Sequence, residues 1–513
     1  MLVKSYSSAV FGINATTITI EVNLGIGVNF YLVGLPDNSV KESQQRIKAA
    51  FSNNNLKFPG REITVNMAPA DIRKEGSVFD LPIAIGILAV SEQIPSELLS
   101  DYQLIGELSL DGNIQPTKGI LPIVLQAKKE GFIGIIVPSS NAAEASVVEG
   151  IAVYGVSMLD EVISFFKDPT SLSPTQPNSQ EQLGSVANLF DVDFKDVKGQ
   201  MQVKRAFEIA AAGGHNIILI GPPGSGKSML AKRLSTILPP MSLDEALETT
   251  KIHSVAGKVK NDLGLITQRP FRKPHHTISE NGLVGGGSYP QPGEISLAHN
   301  GVLFLDELPE YKRSVLEVMR QPLEDRTVTI ARARFSVEYP AGFMLVAAMN
   351  PCPCGYYNHP EKECVCVPGV VQRYLNKISG PLMDRIDLHV EVTPVSFDEL
   401  SKDIPCEGSF EIRGRVEKAR TIQDQRYLTK NEIHCNAQMN RSDFELHCQI
   451  DDTSKELVKT AMVKMGLSAR AYDRILKVAR TIADLDSSIS IERNHVAEAI
   501  QYRSLDRGNW GNK

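Results

Sequence analysis

One glycine-rich stretch constrains this 513-residue chain more than any other feature. It fits the pattern G-x-x-x-x-G-K-[ST], and its residues are Gly221, Pro222, Pro223, Gly224, Ser225, Gly226, Lys227 and Ser228. An apolar run over 216–220 precedes the stretch, and a helical pattern over 229–238 follows it. A strand, a glycine-rich turn and a helix in this order direct backbone N–H groups at phosphates. The stretch therefore predicts a nucleotide-binding module built on a parallel sheet.

Two side chains of the stretch have separate roles in this pattern. Lys227 adds a positive charge for the β- and γ-phosphates, and the Ser228 hydroxyl is placed to ligate Mg²⁺. A chance glycine-rich turn is the alternative, but the flanking strand and helix argue against it. ATP and Mg²⁺ are therefore the predicted cofactors.

Two acidic residues follow a second apolar run. Residues 301–305 are followed directly by Asp306 and Glu307. Buried parallel strands are continuous apolar runs, and ligands of such sheets gather at the carboxyl ends of strands. We therefore expect Asp306 to hold the Mg²⁺ shell and Glu307 to polarise an attacking water. The pair indicates an Mg²⁺-dependent ATPase rather than a protein that only stores nucleotide.

Composition narrows the class of protein. Hydrophobic residues make up 42% and charged residues 22% of the chain, as in ordinary globular proteins. The net charge of −6 gives no overall basic field, so a nucleic-acid contact would depend on local patches. No long apolar run and no signal-peptide pattern is present, and the 7 cysteines favour reduced thiols or a metal over disulfides. These features predict a cytoplasmic protein with no membrane partner.

The chain is long enough to form several domains. Residues 168–189 are rich in proline and small polar residues, which is typical of a linker. This segment separates an N-terminal α/β domain over 1–167 from the nucleotide module over 190–395. Helical periodicity beyond the module predicts a C-terminal helical domain over 396–513. The predicted fold class is therefore α/β and multidomain.

Short motifs along nearly the whole chain resemble a single family. They lie at 33–37, 66–71, 106–112, 211–216, 272–277, 292–299 and 350–355. Together they make the chain similar to the YifB/ComM family, in the magnesium-chelatase-like branch of the AAA+ ATPases. The resemblance implies an S5-type, Lon-protease-like domain over 1–167, an AAA+ module over 190–395 and a helical lid over 396–513.

The serine–lysine pair of the Lon protease does not carry over to this chain. Alignment by eye places Val78 where the Lon serine would stand, with Ser77 one position earlier. Ile123 falls where the lysine would stand. A serine in a glycine-containing turn before an apolar helix is more typical of a helix cap than of a nucleophile. We therefore expect the domain over 1–167 to be proteolytically inactive.

The resemblance implies two further residues around the nucleotide. Asn350 ends the apolar run 343–349 and is expected on a strand beside that of Glu307, where it would orient the attacking water as sensor 1. Arg470 resembles sensor 2 near the start of a lid helix, and Arg474 is its alternative.

The resemblance also implies an arginine finger. Arg385 has the position of this residue and would reach the γ-phosphate bound by a neighbouring subunit. A salt bridge with Asp384 or Asp387 is the alternative interpretation, and Arg373 is the reserve candidate. Because an arginine finger completes the active site of another subunit, the family expectation is a homo-hexameric ring.

Two insertions typical of this branch interrupt the nucleotide module. A glycine-containing segment over 271–288 resembles the helix-2 insertion, and 327–339 resembles the pre-sensor-1 hairpin. In ring motors of this branch such insertions line the central pore. Arg332 and Arg334 are the predicted DNA contacts, although solvated surface charge is the alternative. Further basic or protonatable groups on these elements are Arg272, Lys273, His275, His276 and Arg326.

Four cysteines directly after Asn350 form the pattern C-x-C-x₉-C-x-C. They are Cys352, Cys354, Cys364 and Cys366. Four thiolates in two pairs could hold a structural, tetrahedral Zn²⁺. The spacing is tighter than the usual C-x₂-C, His359 could replace one ligand, and reduced thiols without a metal are the alternative.

The resemblance leaves the substrate of the motor open. ComM members of the family are linked to branch migration and helicase activity during natural transformation, which implies a DNA translocase. A protein-remodelling or chelatase-like motor without DNA activity is the alternative, and a regulatory ATPase is a third possibility. No porphyrin site is visible in the sequence. The residues separate an ATPase from a non-enzyme but leave these three functions unresolved.

Overall fold

The structure of the protein is a computed structural model. It describes residues 2–176, 190–259, 264–287, 290–332, 335–357, 359, 361–367, 369–395, 406–430 and 433–503. The chain forms two compact units. Unit 1 comprises Met1–Ala187, Ser242–Thr267 and Pro290–Pro292, and unit 2 comprises Asn188–Met241, Gln268–Tyr289 and Gly293–Lys513.

Unit 1 is built on a 7-stranded sheet with the strand order β3-β4-β2-β1-β5-β8-β9. Its strands and a small two-stranded ladder are Leu2–Phe11 (β1), Asn14–Gly25 (β2), Phe30–Val33 (β3), Glu62–Ala68 (β4), Tyr102–Leu104 (β5), Glu107–Leu108 (β6), Ile114–Gln115 (β7), Gly134–Pro138 (β8) and Ala152–Val156 (β9). β1, β2 and β4 pair antiparallel, and the remaining neighbours in the large sheet pair parallel. Alternate side chains of β2, including Ile18, Ile20 and Val22, are fully buried.

Helices of unit 1 pack on this sheet and on one another. The longer ones are Ser43–Asn53, Asp80–Val90, Ile120–Glu130, Leu159–Lys167 and Leu243–Val255. Every residue of Asp80–Val90 is buried, because this apolar helix packs against β1 and β2. The apolar helix expected after Ser77 is therefore present, with the short 3₁₀ turn Ser77–Phe79 in front of it.

One helix from the middle of the chain belongs to unit 1. Leu243–Val255 follows the glycine-rich stretch 221–228 in the chain, and the sequence places this helix inside the 190–395 module. It packs on Ile120–Glu130, with Leu247 against the apolar core around Leu121. The Gly119 N–H donates to the Ser254 carbonyl over 3.0 Å. Residues 242–267 are thus held by unit 1 through apolar burial and a backbone hydrogen bond.

Unit 2 contains a 5-stranded sheet with the order β11-β14-β17-β10-β18. The remaining strands of the chain are Ile217–Ile220 (β10), Phe271–Arg272 (β11), Gly285–Gly286 (β12), Gln291–Pro292 (β13), Val302–Leu305 (β14), Thr327–Arg332 (β15), Phe335–Pro340 (β16), Met344–Met349 (β17) and Leu388–Glu391 (β18). All neighbours in the 5-stranded sheet run parallel. The residues that follow β10, β14 and β17 therefore meet at one edge of the sheet, as the sequence predicts.

The C-terminal helices share a core with this sheet. The longer helices of unit 2 are Met201–Gly213, Lys227–Arg233, Ser409–Arg426, Arg441–His447, Asp452–Met465, Ala469–Leu485 and Arg493–Gln501. Val416 and Ile482, from two of the C-terminal helices, lie in the same buried cluster as Phe207 and Leu219. The helical segment predicted over 396–513 therefore packs as part of unit 2 and not as a separate compact body.

Three further sequence predictions concern the hairpin, the linker and the absence of a membrane span. β15 and β16 form the expected antiparallel hairpin, with Thr327 opposite Pro340. The predicted linker contains the short 3₁₀ turn Pro169–Ser171, and its later part, 177–189, lies outside the described residues. No helix in the described ranges is long and apolar enough to cross a membrane.

Candidate nucleotide-binding and hydrolysis site

The glycine-rich stretch 221–228, called the phosphate loop from here on, connects β10 to the helix Lys227–Arg233. All four residues of β10 are buried, which anchors the loop on an interior strand of the sheet, between β17 and β18. Gly224 and Gly226 have φ angles of +81° and +87°, which side chains with a Cβ rarely adopt. A Cβ on Gly224 would meet no heavy atom within 4 Å, so the loop encloses open space there. The Ser225 hydroxyl is buried and has no hydrogen-bond partner in the described part of the chain.

Lys227 points back into this loop. Its ammonium donates to the carbonyls of Gly221 and Pro222 over 2.7 and 2.8 Å and to Asn350 Oδ1 over 3.2 Å. Burial lowers the pKa of Lys227, and the carboxylates of Asp306 and Glu307 act against that shift. A partly buried ammonium beside an open glycine loop fits an anionic group such as a phosphate.

Ser228 and Asp306 meet beside the loop. The Ser228 hydroxyl donates to Asp306 Oδ2 over 2.7 Å, and Lys273 Nζ donates to the same oxygen over 2.9 Å. Burial raises the pKa of Asp306, but the hydrogen bonds from Ser228 and Lys273 outweigh it and hold the pKa below its ordinary value. An ionised carboxylate next to a hydroxyl is an oxygen donor set that suits Mg²⁺.

Glu307 has an unusual backbone conformation directly after Asp306. Its φ angle is +53°, which is uncommon for a residue with a side chain and recurs at functional sites. Its carboxylate is 57% exposed, and Oε2 lies 3.4 Å from His276 Nδ1. The side chain of Glu307 is therefore open to solvent next to Asp306, with the imidazole of His276 close to one of its oxygens.

Asn350 follows β17, the neighbour of the Asp306 strand β14. The predicted adjacency of these two strands is confirmed. Through its hydrogen bond to Lys227, the Asn350 amide is held next to the phosphate loop. The structure thus groups Lys227, Ser228, Asp306 and Asn350 at the phosphate loop as two hydrogen-bonded pairs, Lys227 with Asn350 and Ser228 with Asp306. Glu307 follows Asp306 directly.

Lys273 and His276 also lie at this site, whereas the sequence predicts both on pore-lining elements. Lys273 pairs with Asp306, and His276 lies against Glu307. Arg272, on the same segment, forms a bidentate ion pair with Glu294 over 2.6 and 2.7 Å. These three side chains are therefore engaged with acidic residues of unit 2. The motif R-K-P-H-H-T was the available signal, but nothing in it shows that the segment folds back to the acidic pair.

Arg385 is separate from this group. It is only 5% exposed and forms an ion pair of 2.5 Å with Glu324. It also donates to the Pro381 carbonyl over 2.6 Å. Its partner is thus neither of the acids considered from the sequence, Asp384 and Asp387. The reserve candidate, Arg373, is exposed and donates to the carbonyl of Gly369.

The two sensor-2 candidates have opposite environments. Arg470 is exposed in the first turn of Ala469–Leu485 and has no hydrogen bond or ion pair within the described ranges. Arg474 is bound to the buried Asp387 over 2.9 Å. Burial raises the pKa of Asp387, but the charge of Arg474 and the contact with His215 hold it well below the ordinary value. Arg474 is therefore occupied in the core, whereas Arg470 is free to meet a ligand.

The two predicted DNA contacts, Arg332 and Arg334, follow each other closely in the chain after β15 begins at Thr327. Arg332 ends β15 and pairs with Phe335, and only its backbone is described. Arg334 lies outside the described residues.

Comparisons with known proteins indicate the same magnesium-chelatase-like class that the sequence motifs resemble. Family models described as "Magnesium chelatase, subunit ChlI", "Subunit ChlI of Mg-chelatase" and "Magnesium chelatase, subunit ChlI C-terminal" match residues 193–400, 20–141 and 406–503. The competence protein ComM of Haemophilus influenzae is 44% identical over 506 residues, covering 98% of this chain and 97% of that protein. YifB of Escherichia coli is 42% identical with the same coverage. Lon protease 2 of Bacillus subtilis is 29% identical over 189 residues, or 31% of this chain and 33% of that protein.

These matches identify the fold of unit 2 and its loop as those of a magnesium-chelatase-like AAA+ ATPase. The chain belongs to the ComM and YifB family within that class. ATP and Mg²⁺ are the ligands that this membership implies, and the oxygen donors at Ser228 and Asp306 fit them.

Proposed function

We propose that this protein is an Mg²⁺-dependent ATPase that works as a ring-shaped motor on DNA. The observation that chiefly supports the ATPase part of this proposal is the hydrogen bond between Ser228 and Asp306. It places a hydroxyl and a carboxylate side by side at the point where the phosphate loop continues into a helix. These two residues would hold Mg²⁺, and Gly221, Pro222, Pro223, Gly224, Ser225, Gly226 and Lys227 would surround the phosphates. Bound Mg²⁺ neutralises charge that develops on the transferred phosphoryl group.

Three further side chains would activate the water and contact the nucleotide. Glu307 would orient the attacking water and accept its proton, because its carboxylate is exposed beside Asp306. Asn350 would orient the same water and steady Lys227 through their hydrogen bond. Arg470 would contact the nucleotide as sensor 2, since its guanidinium is exposed.

We also propose that hydrolysis is completed between subunits of a homo-hexamer by Arg385. Within one subunit this guanidinium is held by Glu324 over 2.5 Å. Assembly would therefore have to open that ion pair before Arg385 could reach a neighbouring γ-phosphate. Glu324 is partly exposed, at 43% of its side chain, so the pair lies at a surface where such an exchange is possible.

The segments 1–167 and 396–513 also have roles in this proposal. We propose that residues 1–167 are a Lon-protease-like, S5-type domain without peptidase activity, in line with the partial similarity to Lon protease 2. Two observations support this proposal: Ser77 donates to the carboxylate of Glu107, and the position expected for the lysine is Ile123, which is buried in the core at 1% exposure. The helices of 396–513 would act as a lid through Arg470.

The DNA part of the proposal is supported by the relative named a competence protein, which is 44% identical over nearly the whole chain. Together with the family resemblance, this relative supports our proposal that the chain acts in natural transformation as a helicase or branch-migration motor. The hairpin of β15 and β16 would present Arg332 and Arg334 to the DNA backbone. A ring would bring together several copies of these arginines, which compensates for the net charge of −6.

The test is ATP-dependent branch migration on a synthetic four-way junction. Removing both charges in Arg332→Ala/Arg334→Ala should abolish migration and weaken junction binding. It should also flatten the dependence of log K on log salt by about 0.7 to 0.9 for each phosphate that the variant no longer neutralises. Basal ATP hydrolysis should remain, because none of the side chains that meet at the phosphate loop in the described residues comes from β15 or β16.

A matched control removes the same charge elsewhere in unit 2. In Arg441→Ala/Lys455→Ala both truncated side chains are exposed, at 72% and 60%, and lie on C-terminal helices. This variant should migrate junctions like the parental protein. If the parental protein hydrolyses ATP but neither binds nor moves DNA at low salt, the motor acts on protein or as a chelatase-like machine instead.

A further inference from the structure

The four cysteines that follow Asn350 converge in the fold. The Sγ atoms of Cys352, Cys354, Cys364 and Cys366 all lie within 4.8 Å of one another. Individual pairs are separated by 3.3, 3.5 and 3.7 Å. Zinc bound by thiolates has Zn–S distances of about 2.3 Å, so the edges of a regular tetrahedron are about 3.8 Å. The cluster therefore has the dimensions of a single four-coordinate ion.

The surroundings of the cluster also suit a thiolate-bound metal. Cys352 is fully buried, and the backbone N–H of Tyr357 donates to its sulfur over 3.3 Å. All four are free cysteines, and soft thiolate donors select zinc over Mg²⁺. His359 is not a member of the group, and its Nδ1 accepts hydrogen bonds from the backbone of Glu361 and Lys362. Four protein ligands leave no open position, which is the mark of a structural site.

The loop that carries the cysteines also contacts the phosphate loop. Gly355, between the two pairs, has a φ angle of +84°, and a Cβ there would lie 2.4 Å from Pro223 Cδ. At the start of the same loop, Asn350 is two residues from Cys352 and accepts a hydrogen bond from Lys227. The loop that carries the cysteines therefore contacts the phosphate loop at two residues, Pro223 and Lys227.

We propose that Cys352, Cys354, Cys364 and Cys366 bind one structural Zn²⁺, and that the metal-bound loop holds Asn350 and the phosphate loop in position for the nucleotide. Without the ion, the four thiols have no common ligand, and the segment after Asn350 loses its cross-link. Ordering that segment then has to accompany nucleotide binding. The second part of the proposal rests on nucleotide binding at the phosphate loop, whereas the first part does not.

The metal is tested by elemental analysis of full-length protein purified without chelator. We expect about one zinc per chain, as four-thiolate structural sites bind a single ion. Cobalt exchanged into the site should give the absorption bands of a tetrahedral cobalt thiolate. Both signals should be lost in Cys352→Ser/Cys354→Ser and retained in Cys406→Ser, whose cysteine is free and outside the cluster. Absence of zinc and of the cobalt bands, or iron in place of zinc, overturns the assignment.

The effect of the metal on nucleotide binding is tested on the parental protein, because a cysteine variant could fail to fold. A thiol reagent that displaces the metal is added and then reversed with a reductant and zinc, while binding of a fluorescent ATP analogue is followed. Loss of the metal should weaken binding about tenfold, as expected when one or two side chains must be ordered on binding. Returning zinc should restore the affinity.

The outcomes separate the two claims. If zinc is present but its removal leaves the affinity for the ATP analogue unchanged, the coupling is wrong and the ion supports only its own loop. If zinc is present and the analogue does not bind at all, the proposed ATPase fails while the metal site stands.

Discussion

The two candidate ligand sites of unit 2 start from neighbouring strand ends but are assembled in different ways. The nucleotide site joins Ser228 and Lys273 to Asp306, residues that are 78 and 33 positions apart in the chain. In the cysteine cluster, the sulfurs in contact belong to residues 2 to 12 positions apart. The first site therefore depends on the parallel sheet and its core, and the second depends on one loop. Variants that damage the core, the loop or the contact between them should affect the two sites differently.

The largest effect should come from the core beneath the nucleotide site. Arg474→Ala removes the charge that pairs with Asp387, whose side chain is 1% exposed. Breaking a buried ion pair by removing one partner costs about 3–5 kcal/mol, because the other charge stays buried. We expect the free energy of unfolding, measured by denaturant titration, to fall by this amount, and nucleotide binding to be lost at lower denaturant concentration.

Arg470→Ala is the matched control, one helical turn away and exposed. It should leave the free energy of unfolding within about 0.5 kcal/mol of the parental value, as surface substitutions do. ATP turnover should decrease if Arg470 is sensor 2. Equal destabilisation by the two variants would show that Asp387 does not depend on Arg474.

A smaller effect should come from the contact between the two sites. Gly355→Ala places a methyl group against Pro223 and also strains a residue with a φ angle of +84°. Gly369→Ala has the same strain, at +86°, but its methyl group meets no heavy atom within 4 Å. Left-handed backbone costs a residue with a Cβ about 1–2 kcal/mol in both variants.

The difference between these two variants isolates the contact with Pro223. We expect Gly355→Ala to weaken binding of a fluorescent ATP analogue about tenfold more than Gly369→Ala, since a displacement worth about 1.4 kcal/mol is a tenfold change. Equal affinities in the two variants would mean that the cysteine loop and the phosphate loop are independent.

The smallest effect should come from Lys273, which competes for the carboxylate that Mg²⁺ requires. The ion pair of Lys273 with Asp306 is 42% exposed on the lysine side, and exposed pairs contribute about 0.2–1 kcal/mol. In Lys273→Gln the Mg²⁺ concentration for half-maximal ATP turnover should therefore fall by a factor of about 1.4 to 5. Lys312→Gln, an exposed lysine in the same unit, should leave it unchanged. A higher Mg²⁺ requirement in Lys273→Gln would instead make Lys273 part of the nucleotide site.

Local patterns account for what the sequence predicted well. The phosphate loop is continuous in the chain, and the apolar runs before Asp306 and Asn350 are typical of buried parallel strands. Because the carboxyl ends of such strands share an edge of the sheet, the meeting of Ser228, Asp306 and Asn350 could be expected. The convergence of the cysteines likewise follows from two short pairs in one loop.

Partners fixed by tertiary packing could not be predicted. A helical pattern shows that 243–255 has an apolar side to bury, but not that it packs in unit 1. In the same way, charges alone do not reveal that Arg385 pairs with Glu324, or that Lys273 folds back onto Asp306. Each of these contacts joins segments whose relative positions are set only by the completed fold.

The central claim is that the acidic pair after β14 hydrolyses ATP, with Glu307 activating the water. It is tested most directly by steady-state ATP turnover in Glu307→Gln, with Glu310→Gln as the control three residues away in the chain. Positioned general bases contribute about 10²- to 10⁴-fold to a rate, so turnover should fall by at least about 10²-fold in Glu307→Gln. Affinity for ATP should be retained in this variant, and Glu310→Gln, whose side chain pairs with Lys377 at the surface, should turn over normally. Turnover of Glu307→Gln at the parental rate would contradict the account.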